Sequence, residues 1–102
     1  LKYDIALLNS NISQYQKAYE LFAEIAGKEP SNALAFYHAG MNLYKQKNYE
    51  KAPAYLLNAA RLSSAIRENA YYYSGICYWK TGQYDKAFAK LEYVKNHADS
   101  KS

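Results

Sequence analysis

The chain has 102 residues, of which 50% are hydrophobic and 22% are charged. This length fits one domain, and the apolar content suffices for a buried core, which argues against an intrinsically disordered segment. No apolar run approaches the roughly 18 residues that span a bilayer, so we expect no membrane span. The single cysteine, Cys77, excludes an internal disulfide and a cysteine metal cluster. The first residue is Leu1 rather than methionine, which predicts a segment of a longer protein.

A sequence repeat with a period of 34 to 35 residues runs along the chain. The segment 35–60 aligns without a gap with 70–95, so that Gly40 corresponds to Gly75 and Tyr49 to Tyr84. Residues 13–30 supply a further copy of the second half of the unit. A period of this length indicates a solenoid of stacked supersecondary units.

Within each unit, apolar residues recur at i, i+3, i+4 and i+7, which is typical of helices rather than strands. We predict six helices, at about 2–10, 14–26, 32–46, 49–62, 66–80 and 84–97. They form three helix-turn-helix units at about 1–30, 31–65 and 66–97, followed by a polar tail at 98–102. The residues predicted to form the core are Tyr15, Ala18, Phe22, Ile25, Phe36, Ala39, Gly40, Leu43, Tyr49, Ala52, Leu56, Ala59, Tyr71, Ser74, Gly75, Tyr78, Tyr84, Ala87, Leu91 and Val94.

Cap and turn residues occur at the predicted helix ends. Ser31 or Asn32 can cap the helix at 32–46, and Asn48 can cap the helix at 49–62. Gly82 supplies the turn between the last two helices, and Lys47 stands at the corresponding place in the middle unit.

Three residues within the predicted helices are unfavourable for a helix. Gly40 and Gly75 lie in mid-helix, where glycine is about 1 kcal/mol less favourable than alanine, so we expect close approach of the paired helix. Pro53 lies one turn inside the helix at 49–62, where we expect it to remove one backbone hydrogen bond.

The stretches FYHAGMNLYKQKNYEKA and YYYSGICYWKTGQYDKA resemble the tetratricopeptide repeat (TPR). The resemblance is strong over 31–97 and weaker over 1–30, where Ala6 stands in place of the mid-helix glycine. It implies an all-α fold, an α-α superhelix of three units, that serves as a non-catalytic protein interaction or assembly scaffold. The chain is also similar to arrays of bacterial cell-envelope assembly proteins, and its Tyr, Asn and Lys usage is typical of a bacterium with an AT-rich genome.

The resemblance places ligands on the concave face, which the first helix of each unit lines. On that face the chain carries aromatic and large apolar residues, which are frequent anchors of protein interfaces. We therefore expect an apolar peptide or amphipathic helix of a protein partner to bind there. The predicted groove residues are Tyr37, His38, Met41, Tyr44, Tyr72, Tyr73, Ile76 and Trp79.

Chaperone tails are an improbable ligand by the same resemblance. Family members that hold the carboxylate end of such tails use Lys, Arg and Asn on the concave face. Among the corresponding residues of this chain, only Asn69 fits that pattern.

Two alternatives to the binding groove stay open. The aromatic surface can be buried by the rest of the protein or by a second copy, since no amphipathic segment follows Val94 to cover the last helix. A homo-oligomer through this uncapped helix is therefore an expectation. Weak nucleic-acid binding is the less favoured alternative, because the net charge is only +4. It would use the lysines near the helix ends: Lys45, Lys47, Lys51, Lys80, Lys86 and Lys90.

The sequence offers few groups for catalysis. His38 and His97 are the only histidines, and Asn42 stands where a second metal ligand would follow His38 by one helical turn. No HExxH, GxSxG or glycine-rich phosphate loop occurs. We interpret Cys77 as a small packing residue, and we predict no catalytic residue, no metal and no cofactor.

Overall fold

The computed structural model describes residues 14–101, with side chains up to residue 98. This part of the chain contains five α-helices and no strand. Their bounds are α1 (Tyr15–Lys28), α2 (Ala33–Lys45), α3 (Ala52–Leu62), α4 (Ser64–Lys80) and α5 (Tyr84–Lys101). Each helix packs on the next along the chain, and α2 also contacts α4. The all-α fold class is confirmed, and the sixth predicted helix, at 2–10, lies outside the described residues.

The start of α3 corrects the prediction for Pro53. The helix begins at Ala52 rather than at residue 49, so Pro53 occupies its first turn and is buried. The N–H groups of a first turn have no intrahelical partner, so proline removes no helical hydrogen bond there. Asn48 caps the preceding turn, where its Oδ1 accepts a hydrogen bond from the Lys51 N–H at 3.3 Å.

The other helix ends agree with the prediction to within a few residues. Asn32 caps α2, and its Oδ1 accepts a hydrogen bond from the Ala35 N–H at 3.0 Å. Helix α4 begins at Ser64, two residues before the predicted start at 66. Helix α5 continues to Lys101, into the segment that we assigned to a polar tail.

The two mid-helix glycines lie where the helices of one repeat approach most closely. A Cβ atom added to Gly40 would lie 2.7 Å from Cγ of Leu56, and one added to Gly75 would lie 2.7 Å from Cγ of Leu91. Such distances are far inside van der Waals contact, so only glycine admits the leucine side chain. The expected close approach is confirmed in both repeats.

The turns after α2 and α4 have the same backbone geometry. Lys47 has φ 64° and Gly82 has φ 79°, both in the left-handed region. In each turn the N–H two positions past the C-cap donates to a carbonyl five residues back: Asn48 to Leu43 at 2.9 Å, and Gln83 to Tyr78 at 2.8 Å. This is the Schellman arrangement, which satisfies carbonyls at a helix end.

The core predicted from periodicity is confirmed for α1, α2 and α3, where Phe22, Leu43 and Leu56 are at most 1% exposed. Helix α5 differs. Tyr84 was predicted to be core but is 63% exposed. Helix α2 covers the corresponding face of α1, and α4 covers that of α3, but no helix among residues 14–101 covers this face of α5. Leu91 and Val94 are accordingly only half-buried.

We expect Gly75→Ala to lower the free energy of unfolding by about 1 to 3 kcal/mol, because the new methyl group overlaps Leu91. Gly27→Ala is the matched control, since Gly27 lies in α1 with no atom within 4 Å of an added Cβ. It should raise the stability by up to about 1 kcal/mol. Urea unfolding followed by circular dichroism measures both, and equal effects of the two substitutions would contradict the close-contact argument.

We expect Lys47→Gly to raise the free energy of unfolding by about 1 kcal/mol, since Lys47 has a left-handed φ that a side chain disfavours. Gly82→Ala tests the same constraint in the opposite direction and should lower the stability by about the same amount. Thermal unfolding of both variants measures the effect, and a Lys47→Gly protein no more stable than the native chain would refute it.

Candidate partner-binding groove

The candidate groove lies along α2 and α4, the first helices of the two repeats described in full. Tyr37 and Tyr44 are two helical turns apart on α2, and Tyr72 and Trp79 have the same separation on α4. The helices contact each other, and both end in the same type of turn, so the first helices of the two repeats lie side by side. We call the eight residues predicted above the α2–α4 groove.

Tyr73 is the centre of an aromatic cluster in the α2–α4 groove. Its ring centroid lies 5.0 Å from that of Tyr44, with the planes at 63°, and 5.2 Å from that of Tyr72, at 78°. Tyr44 also contacts Tyr49, at 5.8 Å and 70°. Edge-to-face pairs of this geometry add roughly 0.5 to 1.5 kcal/mol each beyond their buried area, so the cluster holds its side chains in place.

The hydroxyl groups of the half-buried tyrosines stay protonated. Burial raises the pKa of Tyr37, the neighbouring Tyr73 raises it further, and a hydrogen bond with the Asn69 side chain lowers it in part. Burial and then the neighbouring Tyr49 raise the pKa of Tyr44. Both phenols are therefore neutral at physiological pH and are available as hydrogen-bond donors and acceptors.

Two aromatic side chains of the groove are largely accessible to solvent. Tyr72 is 45% exposed and Trp79 is 57% exposed. Met41 and Ile76 are half-buried, and Met41 packs on the core between the repeats. The groove thus combines a fixed floor with two exposed aromatic groups.

His38 lies at the side of the groove towards α1. Its ring stacks on the fully buried Phe22, with centroids 4.9 Å apart and planes at 29°, and contacts Tyr37 edge-on at 5.7 Å. Burial lowers the pKa of His38, and the nearby charge of Lys45 lowers it further. The neutral imidazole thus serves as an aromatic packing group beside the tyrosines.

Most of the lysines near the helix ends lie over tyrosine rings. Lys45 Nζ lies 5.6 Å from the ring of Tyr15. One repeat later, Lys80, which corresponds to Lys45, has its Nζ 6.0 Å from the ring of Tyr49, which corresponds to Tyr15. Lys86 and Lys90 lie over rings in the same way. Cation–π contacts within this distance are attractive. These lysines therefore have a structural role besides any contact with a ligand.

The thiol of Cys77 lies in the core, away from solvent. Cys77 is fully buried, as predicted for a packing residue, and burial raises the pKa of its thiol to about 11. Among the described side chains, no three His, Cys, Asp or Glu groups are placed to hold a metal ion. None of the described helices is both long and apolar enough to cross a membrane.

Periodicity alone did not reveal how Tyr49 contributes to the groove. Its place in the helical pattern assigned it to the core, and the residue does pack against the core, but its ring also contacts Tyr44 and lies under Lys80. The contact joins α2 to the turn before α3, so no spacing within one helix indicates it.

Comparison with known proteins gives the same architecture. The sequence profile of the tetratricopeptide repeat matches residues 69–100. Tetratricopeptide repeat protein 9C of Xenopus tropicalis is 39% identical over 54 residues, which are 53% of this chain and 30% of that protein. The chain thus spans less than a third of that relative's length.

Two solved structures illustrate the similarity of fold. The second TPR of Spaghetti, bound to the HSP90 peptide SRMEEVD, has a TM-score of 0.82 and 22% identity, with 91% of this chain and 85% of that chain covered. MamA from Desulfovibrio magneticus RS-1 has a TM-score of 0.81 and 25% identity, with 93% of this chain and 53% of that chain covered.

A stack of helix pairs with a 35-residue period and close glycine contacts is the fold of a helical-repeat protein, a class that forms extended concave surfaces. Residues 69–100 match the tetratricopeptide-repeat family, and the fold of the described residues is similar to that of solved tetratricopeptide-repeat structures.

We expect the stability of the chain to fall as the pH decreases below about 6.5, the ordinary pKa of histidine. The folded state lowers the pKa of His38, so protonation favours the unfolded state, and the stabilisation present above that pH is lost in acid. Urea unfolding at pH 7.5 and 5.5 should show a smaller pH effect in His38→Gln than in the native chain. His97→Gln is the control for the other histidine, and an unchanged pH effect in His38→Gln would contradict the prediction.

Proposed function

We propose that the α2–α4 groove binds an apolar segment of a protein partner, either an extended peptide or an amphipathic helix. The observation that carries the proposal is the aromatic cluster around Tyr73, which includes the exposed ring of Tyr72, together with the exposed ring of Trp79 on the same helix. Rigid aromatic side chains supply contact area at a low entropic cost, and such groups are enriched among interface hot spots.

The spacing of the exposed rings suits two apolar side chains of a ligand. Tyr72 and Trp79 are seven residues apart on α4, which is about 10 Å along the helix axis. Two turns of a partner helix, or three residues of an extended peptide, cover the same distance. The neutral hydroxyls of Tyr37 and Tyr44 add hydrogen-bonding groups without a charge.

The proposed ligand differs from the peptide in the Spaghetti structure. That peptide, SRMEEVD, contains three acidic residues. The groove of this chain offers tyrosines where binding of such a terminus would use several basic groups, and Asn69, which would fit, lies near the Tyr37 hydroxyl and lowers its pKa. An apolar ligand therefore matches these side chains better than an acidic terminus.

The proposed role is binding without catalysis. The thiol of Cys77 is buried and protonated, and the His38 ring stacks on Phe22. Neither is presented to a ligand as a nucleophile or a general base, so the groove acts by holding its partner in place.

Trp79 is the only tryptophan of the chain and provides a direct probe of the groove. Peptides selected from a random display library on the native chain should shift the Trp79 fluorescence to shorter wavelength as they cover the ring. Their affinity should fall about tenfold or more in Tyr72→Ala, as expected for truncation of an interface anchor.

Phe88→Ala is the matched control, because Phe88 is a similarly exposed ring on α5, outside the groove. It should leave peptide affinity unchanged, and circular dichroism should show equal helix content in all proteins. Selection of peptides whose affinity depends on Phe88 and not on Tyr72 would refute the groove as the binding site.

A further inference from the structure

The α2–α4 groove presents hydrogen-bond donors that the described part of the chain does not use. The hydroxyls of Tyr44 and Tyr72 and the indole N–H of Trp79 bond to none of the described side chains or backbone groups. Outside the groove, by contrast, the hydroxyls of Tyr19 and Tyr55 pair with each other at 3.1 Å. A donor that is buried without an acceptor is unfavourable, so a ligand that covers the groove must offer acceptors as well as apolar surface.

The backbone of the ligand is one source of such acceptors. In an α-helix each carbonyl in the interior of the helix already accepts a bond from an N–H four residues later, so the backbone of an amphipathic helix has few acceptors left. A polyproline II segment has no internal hydrogen bonds, and its carbonyls are therefore open to donors. The unused donors favour an extended ligand over a helical one.

The spacing of the exposed rings selects among the extended conformations. Tyr72 and Trp79 lie about 10 Å apart along α4, and the half-buried Ile76 lies between them, about one turn from each. Polyproline II has three residues per turn and a rise of about 3.1 Å, so side chains at i and i+3 share one face about 9 Å apart. In a β-strand the side chains at i and i+3 point to opposite faces. Polyproline II is thus the extended form that brings two side chains onto both rings.

The charge on the groove also fits an uncharged ligand that is rich in carbonyl groups. Lys80 Nζ lies 5.5 Å from the ring of Trp79 and 6.0 Å from that of Tyr49. A carbonyl that reaches this end of the groove meets an ammonium group as a further donor. The eight residues of the groove include no carboxylate that would repel a carbonyl oxygen.

We propose that the ligand of the α2–α4 groove is a proline-rich segment in the polyproline II conformation, an inference that rests on the proposed function of the groove. Two prolines at i and i+3 of the segment stack on Tyr72 and Trp79. The hydroxyls of Tyr44 and Tyr72 donate to the backbone carbonyls of the segment. Proline has a fixed φ, so little conformational freedom is lost when the segment meets the tightly packed tyrosine cluster. Aromatic-lined grooves of other folds bind proline-rich segments by the same chemistry.

Three synthetic peptides test the conformation of the ligand, with the fluorescence of Trp79 as the signal. Decaproline of L-proline should bind with a Kd below about 1 mM and shift the emission to shorter wavelength. Decaproline of D-proline has the same composition but the opposite helical hand, and it should bind about tenfold more weakly or not at all. A neutral amphipathic helix of leucine, alanine and glutamine should also bind more weakly than L-decaproline. Library peptides whose affinity depends on Tyr72 should be enriched in proline pairs at i and i+3.

Removal of single hydroxyl groups tests the proposed donors. Tyr72→Phe and Tyr44→Phe keep the rings and remove only the O–H groups, so each should weaken the binding of L-decaproline about three- to tenfold. Tyr84→Phe is the matched control, since Tyr84 is an exposed tyrosine on α5, outside the groove. It should leave the affinity unchanged, and circular dichroism should show equal helix content in all variants.

The results distinguish this inference from the proposed function. If the amphipathic helix binds more tightly than L-decaproline and Tyr72→Ala weakens it, the groove remains the binding site but the polyproline II ligand is overturned. Equal affinity for the two decaproline enantiomers would overturn it as well, and so would unchanged binding in both hydroxyl variants. If the affinity of no peptide depends on Tyr72, including those selected from the library, the proposed function fails together with this inference.

Discussion

The contact between a glycine and a leucine within each repeat fixes the geometry of the whole stack. Leu56 fills the space over Gly40, and Leu91 fills the space over Gly75, at distances that no side chain at the glycine position would permit. The paired helices are therefore held at one close separation, and the next pair must pack on the surface that results. Because the contact recurs every 35 residues, both repeats present their first helices in equivalent positions.

The same geometry produces the α2–α4 groove. The glycine side of each first helix faces its own pair, and an adjoining side faces the neighbouring first helix. Tyr44 and Tyr73 then meet across the helices at 5.0 Å, and both residues are partly buried. Lysines at the helix ends lie over further rings, among them those of Tyr15 and Tyr49.

The difference between α3 and α5 shows how strongly burial depends on the neighbouring helix. Tyr49 and Tyr84 hold the same place in the repeat and have the same apolar periodicity after them. Tyr49 is half-buried because α2 and α4 lie beside it, whereas Tyr84 is exposed because no described helix follows α5. The helix that contains Pro53 shows a similar limit of periodicity. The apolar pattern predicted a helix from residue 49, whereas α3 begins at Ala52, after the backbone turn that Asn48 caps.

The sequence by itself determined the repeat, the helical character of its units, the glycine contacts and the left-handed turns at Lys47 and Gly82. These features depend on residue type and on spacing within about 35 residues, which a single sequence displays directly. Tertiary structure decided which aromatic rings meet, how His38 stacks on Phe22, and which face of α5 stays uncovered. Those outcomes depend on side chains brought together from separate helices, and the helical period gives the face on which a residue lies but not what packs against that face.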